Sequence, residues 1–578
     1  MGSIDLGVIA IFTILVVVCG TSFSSSGKNM SGFFAAGGAL PWWMSGLSLF
    51  MSFFSAGTFV VWGSIAYTSG WVAITIQWTM CIAGLLIGFF IAPRWQKTKT
   101  LTAAQYIKER VGGSVQKTYT VIFLSIATFS TGAFLYPVAK IVEVSTGLPI
   151  TLTVVALGII ILLYTAVGGL WAVIVTDILQ FVVLTAAVLI VVPLALDHVG
   201  GFSTFVEKAP EGFFNLTNGE YTWTFIFAFG LYNLFFIAGN WAYIQRYTSV
   251  ASPQDAKKVG WLFSALYCIS PLVWMLAPML YRTVNPDLSG NADEGAYLLM
   301  CKEVLPVGML GLMLGGMIFA TSSSINTALN ITAGVLTNDV YRLFKPQASE
   351  KSMVFFGRMA TICLGMVTIG VALLVPLMGG VVEVVMTMAA LTGGALFLPP
   401  IWLLFSKYQT GRNILTTSIV TLSINAYFKF LSPVLFDFKL DRAEEMLLGV
   451  LTPVVILTVF EVIARKRGVP QCYKNYETIV AEKLEVEKVS ELSADHEGDN
   501  YHGVKVIAMG IGATGVIMLS LSAVAEKGAL VVASMGALIL LVGIALLLKN
   551  RSNQKSSANQ KNSANQKNNL VGEITNAN

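Results

Sequence analysis

Apolar stretches of about 20 residues, each enough to carry a helix across ~30 Å of hydrocarbon, recur along the chain with polar residues gathered between them. The pattern predicts membrane-spanning helices near 4–22, 41–67, 71–93, 118–143, 147–168, 172–196, 222–245, 259–281, 304–338, 354–375, 380–405, 413–431, 443–464, 503–523 and 528–548. The expected fold class is an all-α polytopic membrane protein of about fifteen helices. Composition agrees. Of 578 residues, 55% are hydrophobic and 12% charged, and the mean hydropathy is +0.73, outside the range of soluble domains.

Charge sets the orientation, because lysine and arginine collect in cytoplasmic loops. The 94–117 connection holds Arg94, Lys97, Lys99, Lys108, Arg110 and Lys117. Lys257 and Lys258, Arg342 and Lys345, Lys407 and Arg412, and Arg465 to Arg467 fall on the same side, opposite short or acidic loops. An outside N-terminus and a cytoplasmic C-terminal tail satisfy them all, in a plasma (cytoplasmic) membrane. No basic residue precedes the first stretch and no small-residue cleavage site follows it, so it reads as a retained helix. The net charge of +5 follows from topology and gives no reason to expect nucleic acid. The six cysteines show no CxxC spacing, so neither zinc nor a disulfide framework is expected. The three histidines lie outside the predicted spans, which excludes a histidine proton relay in the bilayer.

Four regions are expected: a main body over 1–464, a charged, partly helical cytoplasmic linker over 465–502, a two-helix hairpin over 503–548, and a tail over 549–578. The tail repeats Ser-Ala-Asn-Gln-Lys-Asn at 557–562 and 563–568, and such composition predicts disorder. The run 510–515 spells GxGxxG, but inside an apolar span with no strand before it. Helix packing through small residues is the expected role.

Chemistry gathers in 305–330, an apolar helix with a dense hydroxyl cluster. Ala320, Ser323, Ser324 and Thr327 share one face. Oxygen donors without thiols or imidazoles suit a hard cation such as sodium. The plainer alternative is that these hydroxyls bond back to the preceding turn or join helices. Asp177, inside the 172–196 span, costs about 2.5–3.5 kcal/mol there, so a cation or a partner is expected beside it. Lys140, Glu383 and Arg246 lie nearer span ends. Small residues interrupt two other helices, at 48–58 and at Gly239-Asn240. Breaks at corresponding positions of two halves mark an inverted-repeat transporter, whose freed carbonyls can replace the water around an ion. No buried His, Cys or paired-carboxylate constellation suggests an enzyme, and the C-terminal pieces are too small for a signalling domain.

Several motifs, in their order, resemble the sodium:solute symporter family, which includes the sodium/glucose cotransporters, over roughly residues 3–464. They are Gly37-Gly-Ala-Leu-Pro-Trp-Trp43, Ala166 to Gln180, Ile244-Gln-Arg246, and 305–330 running on to Asn338-Asp-Val-Tyr341. The resemblance implies a leucine-transporter-like fold of two inverted five-helix repeats, here 41–196 and 222–405. It implies a sodium site made by the carbonyls of Met51, Phe54 and Ala320 and the hydroxyls of Ser323 and Ser324. A second sodium at Asp177 and Thr327 stays open, since Asn326 stands where a hydroxyl is frequent. Where sugar-binding members carry polar or charged ligands, this chain has Thr58, Gln77 and, approximately, Cys268 and Met386. Asn240, Trp241 and Tyr243 are further substrate candidates. The implied activity is alternating-access uptake of a small neutral polar solute, driven by inward sodium flow. A sugar or polyol comes first, with amino acids, carboxylates and nucleosides as alternatives. A sodium-linked membrane sensor is the competing class.

Overall fold

The computed structural model describes residues 2–22, 40–100, 102–164, 170–288, 290–341, 344, 345, 347, 349–490, 497–525 and 527–576, and these are almost wholly helical. Helix α1 (Ser3–Thr21) precedes a first group: α2 (Trp42–Met51), α3 (Gly63–Ser69), α4 (Val72–Leu86), α5 (Gly113–Thr146), α6 (Ile150–Tyr164) and α7 (Leu170–Val199). A second group holds α8 (Trp223–Gly239), α9 (Trp241–Thr248), α10 (Pro253–Trp274), α11 (Met309–Val335), α12 (Glu350–Leu374) and α13 (Gly380–Thr392). Helices α14 (Gly411–Ala426), α15 (Arg442–Arg467), α16 (Gln471–Ser490), α17 (Glu497–Ser522) and α18 (Ala529–Asn576) complete the chain.

Among the described residues, ten helices are long and apolar enough to cross a membrane, and one bent pair makes an eleventh. The expected count of about fifteen is not reached by that measure. Helices α1, α6 and α11 are apolar too, over the described stretches Ser3–Cys19, Ile150–Ile159 and Met309–Ser322, and the 41–67 stretch is broken into α2 and α3. Helix α18 is drawn through to Asn576. Its alanines, glutamines and lysines are good helix formers, and the apolar half of α18 supplies a nucleus to extend.

Both interrupted spans break where small residues sit. The first leaves helical geometry over 52–55. The Ser55 amide donates to Thr58 Oγ1 at 3.2 Å, and Thr58 Oγ1 donates to the Phe53 carbonyl. The Ala56 amide, freed by the break, donates to Thr321 Oγ1 of α11 at 3.1 Å. The second break, at Asn240, bends α8 against α9 by 60°. Asn240 caps α9 by accepting from the Ala242 amide at 3.0 Å, the usual work of an Asn at a helix start. A Cβ on Gly239 would lie 2.5 Å from the Phe397 carbonyl oxygen, so only glycine permits this approach.

One large core joins both groups. A second cluster lies where α1, α7, α11 and the α17–α18 hairpin meet. The glycines of 510–515 serve this packing: Gly510 faces Leu179 of α7, and Gly515 faces the α18 backbone at Gly536 and Leu540. The linker helix α16 lies on the Ala103–Val111 helix, where Lys483 pairs with Glu109 at 2.8 Å and Tyr473 faces the buried Arg110 guanidinium at 4.5 Å.

Helix α1 also fixes α11. Asp5 is buried, and its Oδ1 accepts from the amides of Gly308 and Gly311 at 2.8 and 3.2 Å. A carboxylate thus caps the positive end of the helix that carries the hydroxyl cluster. Asp5→Ala strands these buried donors and should cost about 1–3 kcal/mol. Asp5→Asn keeps an acceptor and should recover part of the loss, as thermal unfolding would report; equal melting temperatures for wild type and Asp5→Ala would refute the cap.

Candidate functional site

The first break, α7, α9 and α11 converge. Helices α7 and α11 run antiparallel, and two contacts set their register. His198 Nε2 lies 3.1 Å from a Glu303 carboxylate oxygen just before α11, and a Cβ on Gly316 would meet Leu184 and Val183. That register brings Gln180 level with Ala320 and Asp177 level with Ser323. Thr321, one residue on, holds the first break. The opened turn of α2 and the hydroxyl-rich turns of α11 are therefore neighbours.

Among the described residues, no hydrogen bond ends on the carbonyl oxygens of Met51 or Phe54. Both residues are buried, and a buried carbonyl without a donor is costly unless something else approaches it. Ser324 is exposed, and its hydroxyl donates to the Ala320 carbonyl at a long 3.4 Å. Such a bond is weak and easily exchanged for a stronger oxygen partner. These donors are all neutral oxygens, a set that fits a hard monovalent cation. The side chains of Ser323, Asn326 and Thr327 lie outside the described residues, as do residues 37–39 and 166–169 of the motifs.

Asp177 does not stand alone. Ser48 Oγ of α2 donates to its Oδ2 at 2.6 Å. Arg246 of α9 donates through Nε to Ser48 Oγ at 3.0 Å, and its Nη2 lies 3.8 Å from Asp177 Oδ2. All three are buried. The cluster ties α2, α7 and α9 together, and the pairing answers the cost that a lone carboxylate would carry. Nearby, the Leu40 amide donates to the Ser249 carbonyl at 3.0 Å, and Gln96 Nε2 donates to the Ala251 carbonyl at 3.2 Å. These bonds tie the start of α2 and the helix Ala92–Lys97 to the turn after α9.

Aromatic rings fill the space around the first break. Phe54 stacks on Trp274 at 4.1 Å, Phe53 lies 4.8 Å from Tyr243 and 5.6 Å from Phe263, and Phe50 lies 5.3 Å from Tyr267. Trp241 stacks on Phe123 at 4.3 Å. Of the substrate candidates, Tyr243 therefore faces the break, Trp241 packs against α5, and Asn240 Oδ1 serves as a cap. Thr58 spends its hydroxyl inside the break. Gln77 differs from all of these: it is buried, and neither its Nε2 nor its Oε1 has a hydrogen-bond partner.

Sequence reasoning missed Ser48 and Arg246 as partners of Asp177, Thr321 as the anchor of the break, and Gln180, whose buried Oε1 has no partner. A polar residue one turn after a membrane-depth carboxylate was the available signal for Gln180.

A family model described as the sodium:solute symporter family matches residues 33–420. Sodium/glucose cotransporter 1 of Ovis aries is 27% identical over 407 residues, covering 62% of this chain and 61% of that protein. Sodium/myo-inositol cotransporter 2 of Oryctolagus cuniculus is 27% identical over 407 residues, covering 63% and 60%. The chain thus spans about three fifths of the length of these curated relatives. A Na+-coupled sialic acid symporter, solved in a substrate-bound outward-open state, superposes with a TM-score of 0.64 at 21% identity, covering 80% of this chain and 98% of that one. At that identity the likeness is one of fold.

Proposed function

Because the chain belongs to the sodium:solute symporter family, we propose that it couples inward sodium flow to the uptake of a small neutral polar solute, most readily a sugar or polyol. The observation that carries this reading is the pair of carbonyls, Met51 and Phe54, that no described donor reaches, in the break that Thr321 of α11 anchors. Sodium would be held there by these carbonyls, the Ala320 carbonyl and the hydroxyls of Ser323 and Ser324. Asp177 and Thr327 are the residues for a second ion, although Arg246 already occupies one side of Asp177. The glucose and myo-inositol cotransporters among the relatives support a sugar or polyol. Gln77 and Tyr243 would contact the solute, the first by hydrogen bonding and the second by its ring face, while Thr58, Asn240 and Trp241 shape the pocket wall.

In this reading α2–α7 and α8–α13 form the two inverted repeats within about fifteen spans, the N-terminus is outside, and the tail is cytoplasmic. Sodium entering from outside orders the first break. The solute contacts the same broken helix, so each ligand raises affinity for the other. Opening to the cytoplasm then requires the contacts of Ser48 and Leu40 with α9 and the turn after it to part. The membrane potential adds about 2.3 kcal/mol per charge per 100 mV.

Purified protein tested by thermal shift against sugars, polyols, amino acids, carboxylates and nucleosides, in sodium and in potassium, decides the reading. A sugar or polyol that stabilises only in sodium is expected. Stabilisation by another class alone would replace the substrate, and no sodium-specific effect at all would remove the symporter reading. Gln77→Leu should weaken solute binding about tenfold, the worth of one well-made hydrogen bond, while leaving the solute-free response to sodium intact. It should also raise the stability of the solute-free protein, because an unsatisfied buried amide is lost. A lowered melting temperature would show that Gln77 is a structural residue.

A further inference from the structure

Resting on the sodium-symporter reading, we propose that the side-chain oxygen of Gln180, reaching across from α7, is a further ligand of the sodium bound between the first break and α11. Gln180 is nearly fully buried, at 1% exposure, and its Oε1 has no hydrogen-bond partner. A buried amide oxygen left without a donor costs free energy, so its persistence calls for a partner that arrives with the ligand.

Its position identifies that partner as a cation. The His198–Glu303 contact and the seating of Gly316 on Leu184 and Val183 fix how α7 lies along α11. By helical periodicity Gln180 lies on the same side of α7 as Leu184, one turn earlier, and so faces α11 at the level of Ala320. Gly316 and Ala320 are small, which leaves room for a longer side chain crossing from α7. Ala320 offers a carbonyl in the same place, and the carbonyls of Met51 and Phe54, which no described donor reaches, flank the break that Thr321 anchors.

The neighbouring carboxylate is engaged through its Oδ2. Asp177 accepts from Ser48 and lies beside Arg246, and Ser48 in turn accepts from Arg246. Gln180 adds to this face of α7 a neutral amide oxygen that no described donor reaches. With such a ligand the bound ion keeps its full positive charge, and Asp177 acts on the site by holding α2 and α9 in place.

The test is a sodium titration of the full-length protein by thermal shift, without solute, for wild type, Gln180→Met and Gln180→Glu. Gln180→Met keeps the volume and removes the oxygen. It should raise the sodium concentration for half-maximal stabilisation about tenfold or more, as expected for losing a bond to a charged partner. Gln180→Glu restores an oxygen and adds a negative charge, so its half-saturation should fall below that of Gln180→Met by at least the same factor. If Gln180→Met does not fold, Gln180→Glu against wild type decides, and sodium binding at least as tight as wild type is expected. Unchanged half-saturation in Gln180→Met, or weakened binding in Gln180→Glu, overturns the ligand role while the symporter reading stands. A wild-type protein that sodium does not stabilise more than potassium overturns both.

Discussion

Arg246→Met is expected to lower the stability of the protein by about 3–5 kcal/mol, because it leaves the Asp177 carboxylate buried with its cationic partner gone. Arg246 and Asp177 are each 7% exposed, and Ser48 between them is fully buried, so water cannot take over the lost contact. Asp177→Asn should be milder. Ser48 can still donate to the remaining amide oxygen, although the guanidinium then lacks its counter-charge. In Arg246→Met/Asp177→Leu neither charge remains, and such replacements are often neutral or stabilising. The double variant should therefore recover most of the single variant's loss in thermal unfolding. Transport should not return with stability if, as in the proposed cycle, α2 and α9 part at the cluster that joins them. A double variant no more stable than Arg246→Met would show that the two charges are not energetically coupled.

Ser324→Ala should raise the sodium concentration needed for half-maximal uptake about tenfold or more. A hydroxyl bonded to a charged partner contributes about 1.5–3 kcal/mol, and each 1.4 kcal/mol is a factor of ten. The folded protein loses little, because Ser324 is exposed and its described bond is the long one to the Ala320 carbonyl. A changed sodium dependence at constant melting temperature separates a ligand from a packing residue. An unchanged sodium dependence would return the hydroxyl face to back-bonding along its own helix.

Membrane class and the two helix breaks were legible in the chain, since both follow from local properties. Twenty apolar residues in a row need a bilayer whatever they pack against, and Ser52 to Gly57 or Gly239-Asn240 weaken a helix wherever it lies. The helix of α11 was legible for the same reason, and its periodicity alone puts positions 320, 323, 324 and 327 on one side. The course of a span through a break was not, because whether an interrupted stretch such as 41–67 runs as one helix or two is settled by its neighbours.

Site partners divide along the same line. Asp177 announces itself as a residue in need of a partner, but Ser48 and Arg246 are distant in sequence and reach it only when α2, α7 and α9 meet. Gln77 and Thr58 look alike as polar residues in apolar helices. The fold consumes the Thr58 hydroxyl within the break and leaves Gln77 with nothing to bond. Residue pattern along the chain determined which groups are chemically able to hold an ion or a solute. Which of them remain free to do so was decided by tertiary structure, because hydrogen-bond satisfaction in a dry interior is settled between helices and not along one.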